Sequence, residues 1–182
     1  SWPAVNKSSL DDAFEKSWLH YHYSITHPDI QPESPDLLIG RAVHTLVLEG
    51  KEEFEREYIV GGPINPATTR PYGADTKKFA EWMEQQPKGK TFLSTGQHEI
   101  ADAIAWSVLK HETASCFLGE AGDNEVSCLW KCPETGILCK ARFDLLRPGF
   151  NSIGDLKTTR CASKDEFGKS IESYGYHRQA AW

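Results

Sequence analysis

The hydrophobic pattern divides the chain into a helical first part and a strand-rich second part. Ser8-Ser9-Leu10-Asp11-Asp12 places hydroxyls before acids, as a helix start does. Phe14, Trp18 and Tyr21 then recur at spacings of four and three, predicting one apolar-aromatic face. A proline-rich link follows at Pro28, Pro32 and Pro35. Leu37 to Glu49 is the most helical stretch, with Leu38, Ala42, Thr45, Leu46 and Leu48 leaving little polar surface and Gly50 as its C′ residue. Residues 61–73, rich in Gly, Pro, Asn and Thr, read as a loop. Further helices are predicted over 75–86 and 95–111.

The period then changes. Glu125 to Lys131 alternates with Val126, Cys128 and Trp130 on one face, which is a strand pattern. After a turn at Gly136, Leu138 to Leu146 forms a second strand. Pro148-Gly149-Phe150-Asn151 turns the chain into a third, Ser152 to Lys157. Ser163-Lys164-Asp165-Glu166 has the form of a capping box opening a final helix. Helices, a β-meander and a helix imply an α/β or α+β fold with a helix-covered sheet, in one domain over 1–182.

Composition adds little to that picture. With 39% hydrophobic and 25% charged residues the chain has a globular composition. No apolar run approaches the roughly 20 residues that span a bilayer, and no signal peptide is visible, so a soluble cytoplasmic protein without membrane partners is expected. The formal charge of -6 gives no overall basic footprint for nucleic acid, although a local basic lining remains compatible with it. The five cysteines, Cys116, Cys128, Cys132, Cys139 and Cys161, match no zinc spacing and are expected to be buried free thiols.

The chemistry concentrates on the hairpin around Pro148-Gly149. If Arg147 faces Ser152, Asp144 and Asp155 oppose one another, about 5 Å apart at Cβ. Two carboxylates that close repel, and a divalent cation held between them removes the penalty. Lys157 follows Asp155 by two and shares its face, while Leu156 points the other way. Metal and ammonium together suit phosphodiester hydrolysis, the metal activating water and the cation countering developing charge. A solvated Asp–Lys pair on a surface hairpin fits the same short pattern.

Arg142-Phe143-Asp144, Ile153-Gly154-Asp155-Leu156-Lys157-Thr158-Thr159 and Tyr176-His177-Arg178-Gln179-Ala180-Ala181-Trp182 together resemble the PD-(D/E)xK nuclease superfamily. Within it they resemble the exonuclease VIII (RecE-like) group of phage and prophage recombination nucleases, whose Gly-x-x-x-His motif is matched by Gly40-Arg41-Ala42-Val43-His44. The resemblance implies an α/β fold with a PD-(D/E)xK (restriction-endonuclease-like) core, a central mixed β-sheet flanked by helices. It implies His44, Asp144, Asp155 and the Leu156 carbonyl as ligands of Mg2+ or Mn2+. Lys157 would be catalytic, and Gln179 would belong to a Gln-x-x-x-Tyr motif whose Tyr falls just beyond Trp182. Glu125 is a further candidate, since related nucleases often carry an acid there.

The implied function is a 5′-to-3′ exonuclease on linear double-stranded DNA, leaving 3′ overhangs for single-strand annealing in a bacterial or phage-infected cell. A homo-oligomeric ring and a single-strand-annealing protein are the implied partners. Two alternatives stand beside it. A RecB-like nuclease of CRISPR or repair type would need an iron–sulfur cysteine set that Cys116 and Cys161 do not supply. A catalytically inactive DNA-binding or assembly domain would have no need of Asp144, Asp155 and Lys157 together.

Overall fold

Asn6, rather than Ser8, starts the first helix. Its side chain accepts from the Ser9 amide, and the Ser9 hydroxyl accepts from the Asn6 amide, capping α1 (Lys7–Asp11). In the computed structural model, which describes residues 4–27 and 34–182, the predicted long helix is divided. A π-helical turn (Asp12–Lys16) ends at the extended Ser17, which caps α2 (Trp18–Thr26) by accepting from the His20 amide. A serine that can bond its own downstream backbone favours a cap over a helix interior, and this splits the element. The apolar-aromatic face is not core: Phe14 is 87% and Trp18 72% exposed. Tyr23, also exposed, stacks on His27 instead of packing inside. The expected Pro28–Pro32 link, like Ser1–Pro3, lies outside the described residues.

The chain forms two compact units, residues 33–120 and residues 1–32 with 121–182. In the first, Ser34 caps α3 (Pro35–His44) with Pro35 in its first turn, where a missing N–H costs nothing. The helix continues as a π-helical turn, Thr45–Glu49, and Gly50 at φ +93 ends it as the sequence predicts. Then come α4 (Lys51–Glu57), β1 (Tyr58–Val60), α5 (Lys77–Glu84), β2 (Thr91–Leu93), α6 (Thr95–Lys110) and α7 (Glu112–Gly119). β1 and β2 pair in parallel, and Val43, Leu48, Phe54, Phe79, Leu93 and Ala101 are buried. Three-residue strands are too short to show a period, so the sequence pattern does not disclose them.

The second unit carries β3 (Asp123–Lys131), β4 (Leu138–Arg147) and β5 (Ser152–Gly154) as an antiparallel meander in the order β3-β4-β5. Arg147 pairs with Ser152, the register the hairpin argument requires. β5 is shorter than expected, ending at Gly154 rather than Lys157. The reason is local: the Leu156 amide donates to the Asp144 carboxylate at 2.7 Å, so a side chain takes the bond. Arg147 is 2% exposed and ties the base of the hairpin, donating to the carbonyls of Asp123 and Leu146 and to Asn124 Oδ1. A Cβ on Gly122 would meet the Leu146 carbonyl oxygen at 2.1 Å, so only glycine fits against this knot.

The predicted final helix is two helices, α8 (Lys164–Ser173) and α9 (Tyr176–Ala181). Ser163 makes no capping bond, because its hydroxyl accepts from the Cys161 thiol and Glu166 pairs with Lys169. Gly175 at φ +62 makes the corner, and a Cβ there would strike the Arg178 guanidinium. Of the five free thiols only Cys139 is buried, while Cys116 and Cys161 are exposed, so burial as a general reading fails. No helix among the described residues is long and apolar enough to cross a membrane.

Candidate metal centre and active site

Two carboxylates face one another across β3 and β4, and a third follows the end of β5. The pairs Asn124↔Leu145 and Val126↔Phe143 set Glu125 opposite Asp144. The last β4–β5 pair is Leu145↔Gly154, so Asp155 is the first residue past β5, in the segment whose Leu156 amide bonds Asp144. Residues opposed in an antiparallel ladder project from the same face. Oxygens of Glu125 and Asp144 lie within 4.8 Å of one another. Sequence pattern identified Asp144 and Asp155 from the hairpin, and the register also brings in Glu125.

Glu125 itself has φ +55, left-handed backbone inside a strand. A non-glycine residue there costs about 1–3 kcal/mol and is held only where its surroundings over-determine it. The register is unchanged on either side, so the distortion is confined to the residue that faces Asp144. Its carboxylate is bound by the Arg142 guanidinium, which is 62% exposed. Arg142 was not singled out by sequence. The available signal was its place two residues before Asp144, which puts it on the same face of β4.

Lys157 Nζ pairs with Asp155 Oδ2 at 2.7 Å, and these side chains are 26% and 35% exposed. Gln179 Nε2 donates to the other oxygen, Asp155 Oδ1, at 2.9 Å. α9 thus brings Gln179 to the Asp155-x-Lys157 segment. Leu156 presents its amide to Asp144, and its carbonyl is in the same peptide segment. His44 ends α3 in the other unit, where the helix passes into its π-helical turn, and is half-buried.

These contacts set Glu125, Asp144 and Asp155 against Arg142 and Lys157. Three carboxylates against two cations leave an excess of negative charge on oxygen donors. Hard oxygen ligands of this kind suit Mg2+ or Mn2+ and do not suit soft metals. The donor set therefore fits the metal the resemblance implies. Arg178, from the C-terminal motif, pairs with Asp11 and Glu15. Lys140 contributes its backbone, its carbonyl accepting from Trp182 Nε1 at 3.1 Å. Among the remaining histidines, His111 caps α7 and His98 lies against Phe54.

A family described as a PDDEXK-like domain of unknown function matches residues 9–182. No curated protein matches the chain. The chain belongs to this PDDEXK-like family, whose fold is the α/β nuclease core expected from the motifs.

Proposed function

We propose that this PDDEXK-like domain is a divalent-metal-dependent deoxyribonuclease that uses residues 1–182 as one nuclease domain. The observation that carries the reading is the facing pair Glu125 and Asp144, with Asp144 bonded to the segment in which Lys157 pairs with Asp155. Asp144, Asp155, the Leu156 carbonyl and Glu125 would hold Mg2+ or Mn2+, and the motif resemblance adds His44 as a ligand. When bound, the metal supplies a polarised phosphate and a more acidic water.

The remaining work falls to the protein's own groups. Lys157 carries a fixed positive charge that counters the charge developing on the phosphate oxygens as water oxygen bonds to phosphorus and the bridging P–O bond breaks. Asp155 holds that ammonium, and Gln179 holds Asp155, so the charge is in place before substrate arrives. Arg142, exposed beside the acids, is suited to a neighbouring phosphate.

The finer reading rests on the resemblance to the exonuclease VIII group. It is a 5′-to-3′ exonuclease on linear duplex DNA that leaves 3′ overhangs for annealing. A ring of copies and a single-strand-annealing partner go with it, and a ring would let an acidic chain present a basic channel.

The test is incubation of wild type and Asp155→Ala with linear, nicked and closed circular duplex DNA, in Mg2+ and in chelator. Loss of linear DNA with wild type and Mg2+ alone is expected. Equal loss with both proteins, or with neither, overturns the nuclease reading. Cleavage of closed circles would overturn the exonuclease reading alone. End-labelled substrates then read the polarity.

A further inference from the structure

α9 is a short helix anchored at both ends. Near its start, Arg178 pairs with Asp11 and Glu15 of the N-terminal helices, and Lys7 pairs with Asp11 and donates to the Tyr174 carbonyl. At its end Trp182 packs edge-on against Trp130 of β3 and donates to the Lys140 carbonyl of β4. Tyr176 and Gln179, three residues apart, share another face of the helix. That face meets the Asp155-x-Lys157 segment twice. Gln179 bonds Asp155, and the Lys157 ammonium lies over the Tyr176 ring, 5.5 Å from its centroid.

We infer that Tyr176 is a positioning residue for Lys157, its ring face holding the ammonium beside Asp155; the inference rests on the nuclease reading above. An ammonium at the end of four methylenes has no fixed place of its own, and one ion pair leaves it free to swing about Asp155. A ring face placed over it removes that freedom through the attraction of the quadrupole. Tyr174, stacked on Tyr176 with centroids 5.7 Å apart, restrains the ring. Gly175 between them supplies the left-handed corner that lets both rings face one another. The role belongs to the ring and not to the hydroxyl.

The experiment compares Tyr176→Phe, which keeps the ring, with Tyr176→Leu, which removes it. Single-turnover cleavage of linear duplex DNA in Mg2+ is read beside DNA affinity in Ca2+ and the melting temperature. Tyr176→Leu is expected to lower the cleavage rate about tenfold to thirtyfold, with DNA affinity within about twofold. Tyr176→Phe is expected to stay within about threefold of wild type. Equal loss in both variants, or loss in affinity with an unchanged rate, overturns the inference. A second readout needs no activity: the ε-methylene protons of Lys157, assigned with Lys157→Arg, are expected upfield in wild type and Tyr176→Phe but not in Tyr176→Leu. An unshifted resonance in folded wild type overturns the inference whatever the activity. A wild type that shows the shift and cleaves no DNA overturns the nuclease reading instead.

Discussion

The main-chain amide of Leu156 donates to Asp144 Oδ2 at 2.7 Å, so one candidate ligand is bonded to the residue between Asp155 and Lys157. This bond sets the strand end and the site together. It withdraws Leu156 from the β4 ladder and fixes Asp144 against the segment that carries the other two groups.

The bond separates charge from geometry. Asp144→Asn keeps an oxygen that accepts from Leu156 while removing the charge. Its melting temperature is expected to stay within a few degrees of wild type, and its cleavage rate to fall by at least about a hundredfold, as loss of a metal ligand requires. Asp144→Ala leaves the Leu156 amide without that acceptor and is expected to lose a further ~1–3 kcal/mol of stability. Equal stability of the two variants, by thermal denaturation, would show that the bond contributes nothing.

How much of this was legible beforehand depended on the length of the signal. The Arg147–Ser152 register, a condition of the hairpin reading, is present, but the ladder ends at Leu145 and Gly154, one residue short of Asp144 and Asp155. The β3 alternation read correctly because Val126, Cys128 and Trp130 are half-buried on one face. Glu125 could be suspected from its place on β3, yet its left-handed backbone has no sequence signature. Tyr176 over Lys157 depends on a corner at Gly175 that the continuous helical pattern hid. The divided N-terminal helix was missed because Ser17 reads as an ordinary polar position until its capping bond is seen. Periodicity thus reported the long elements, and side chains that bond backbone decided where they stop.

Metal should stabilise the fold it binds. A cation taken up by the folded protein alone raises stability by roughly 2.7 kcal/mol at a hundred times its dissociation constant. Millimolar Mn2+ or Mg2+ is therefore expected to raise the melting temperature of wild type by several degrees and chelator to reverse it. Asp144→Asn and Asp155→Asn are expected to lose most of that rise. His44→Ala is expected to lose part of it, and a full rise in that variant would remove His44 from the ligand set.

Gln179 differs from these in acting through another residue. Gln179→Ala removes the donor on Asp155 Oδ1 but leaves the Lys157 pair on Oδ2. Its rate is expected to fall about tenfold at unchanged DNA affinity, with the metal-induced rise in melting temperature retained. Gln179→Glu places a second carboxylate against Asp155 and is expected to fall further. A Gln179→Ala enzyme at wild-type rate would remove this helix face from the mechanism.

Arg147 offers a purely structural prediction. Its buried guanidinium satisfies the Asp123 and Leu146 carbonyls and Asn124, the strand ends that frame the meander. Arg147→Ala leaves those groups without these donors and opens a cavity, so a loss of about 3 kcal/mol or more is expected from denaturant unfolding. Arg147→Lys offers fewer donors without the planar fork and is expected to recover only part of it. A loss under about 1 kcal/mol in the alanine variant would show that the hairpin holds without the knot.

Cys161, a few residues past Lys157, carries a pH prediction. Its thiol is held below the ordinary thiol range, first by a hydrogen bond with the Ser163 hydroxyl and then by the Ser163 backbone. Both favour the thiolate, to which the hydroxyl turns to donate, while desolvation and then the charge of Glu166 work against them. The sign follows. A group whose folded pKa is depressed adds stability above its unfolded pKa and loses it as pH falls through the folded value. Because the thiol is exposed, the clearer measure is reactivity. The alkylation rate of Cys161 against pH is expected to reach its midpoint below that of an unperturbed thiol, and Ser163→Ala is expected to move that midpoint upward. Exposed Cys116 in the same sample, followed by mass spectrometry, serves as the internal comparison. If the Cys161 midpoint stays put in Ser163→Ala, the hydroxyl is not what lowers it.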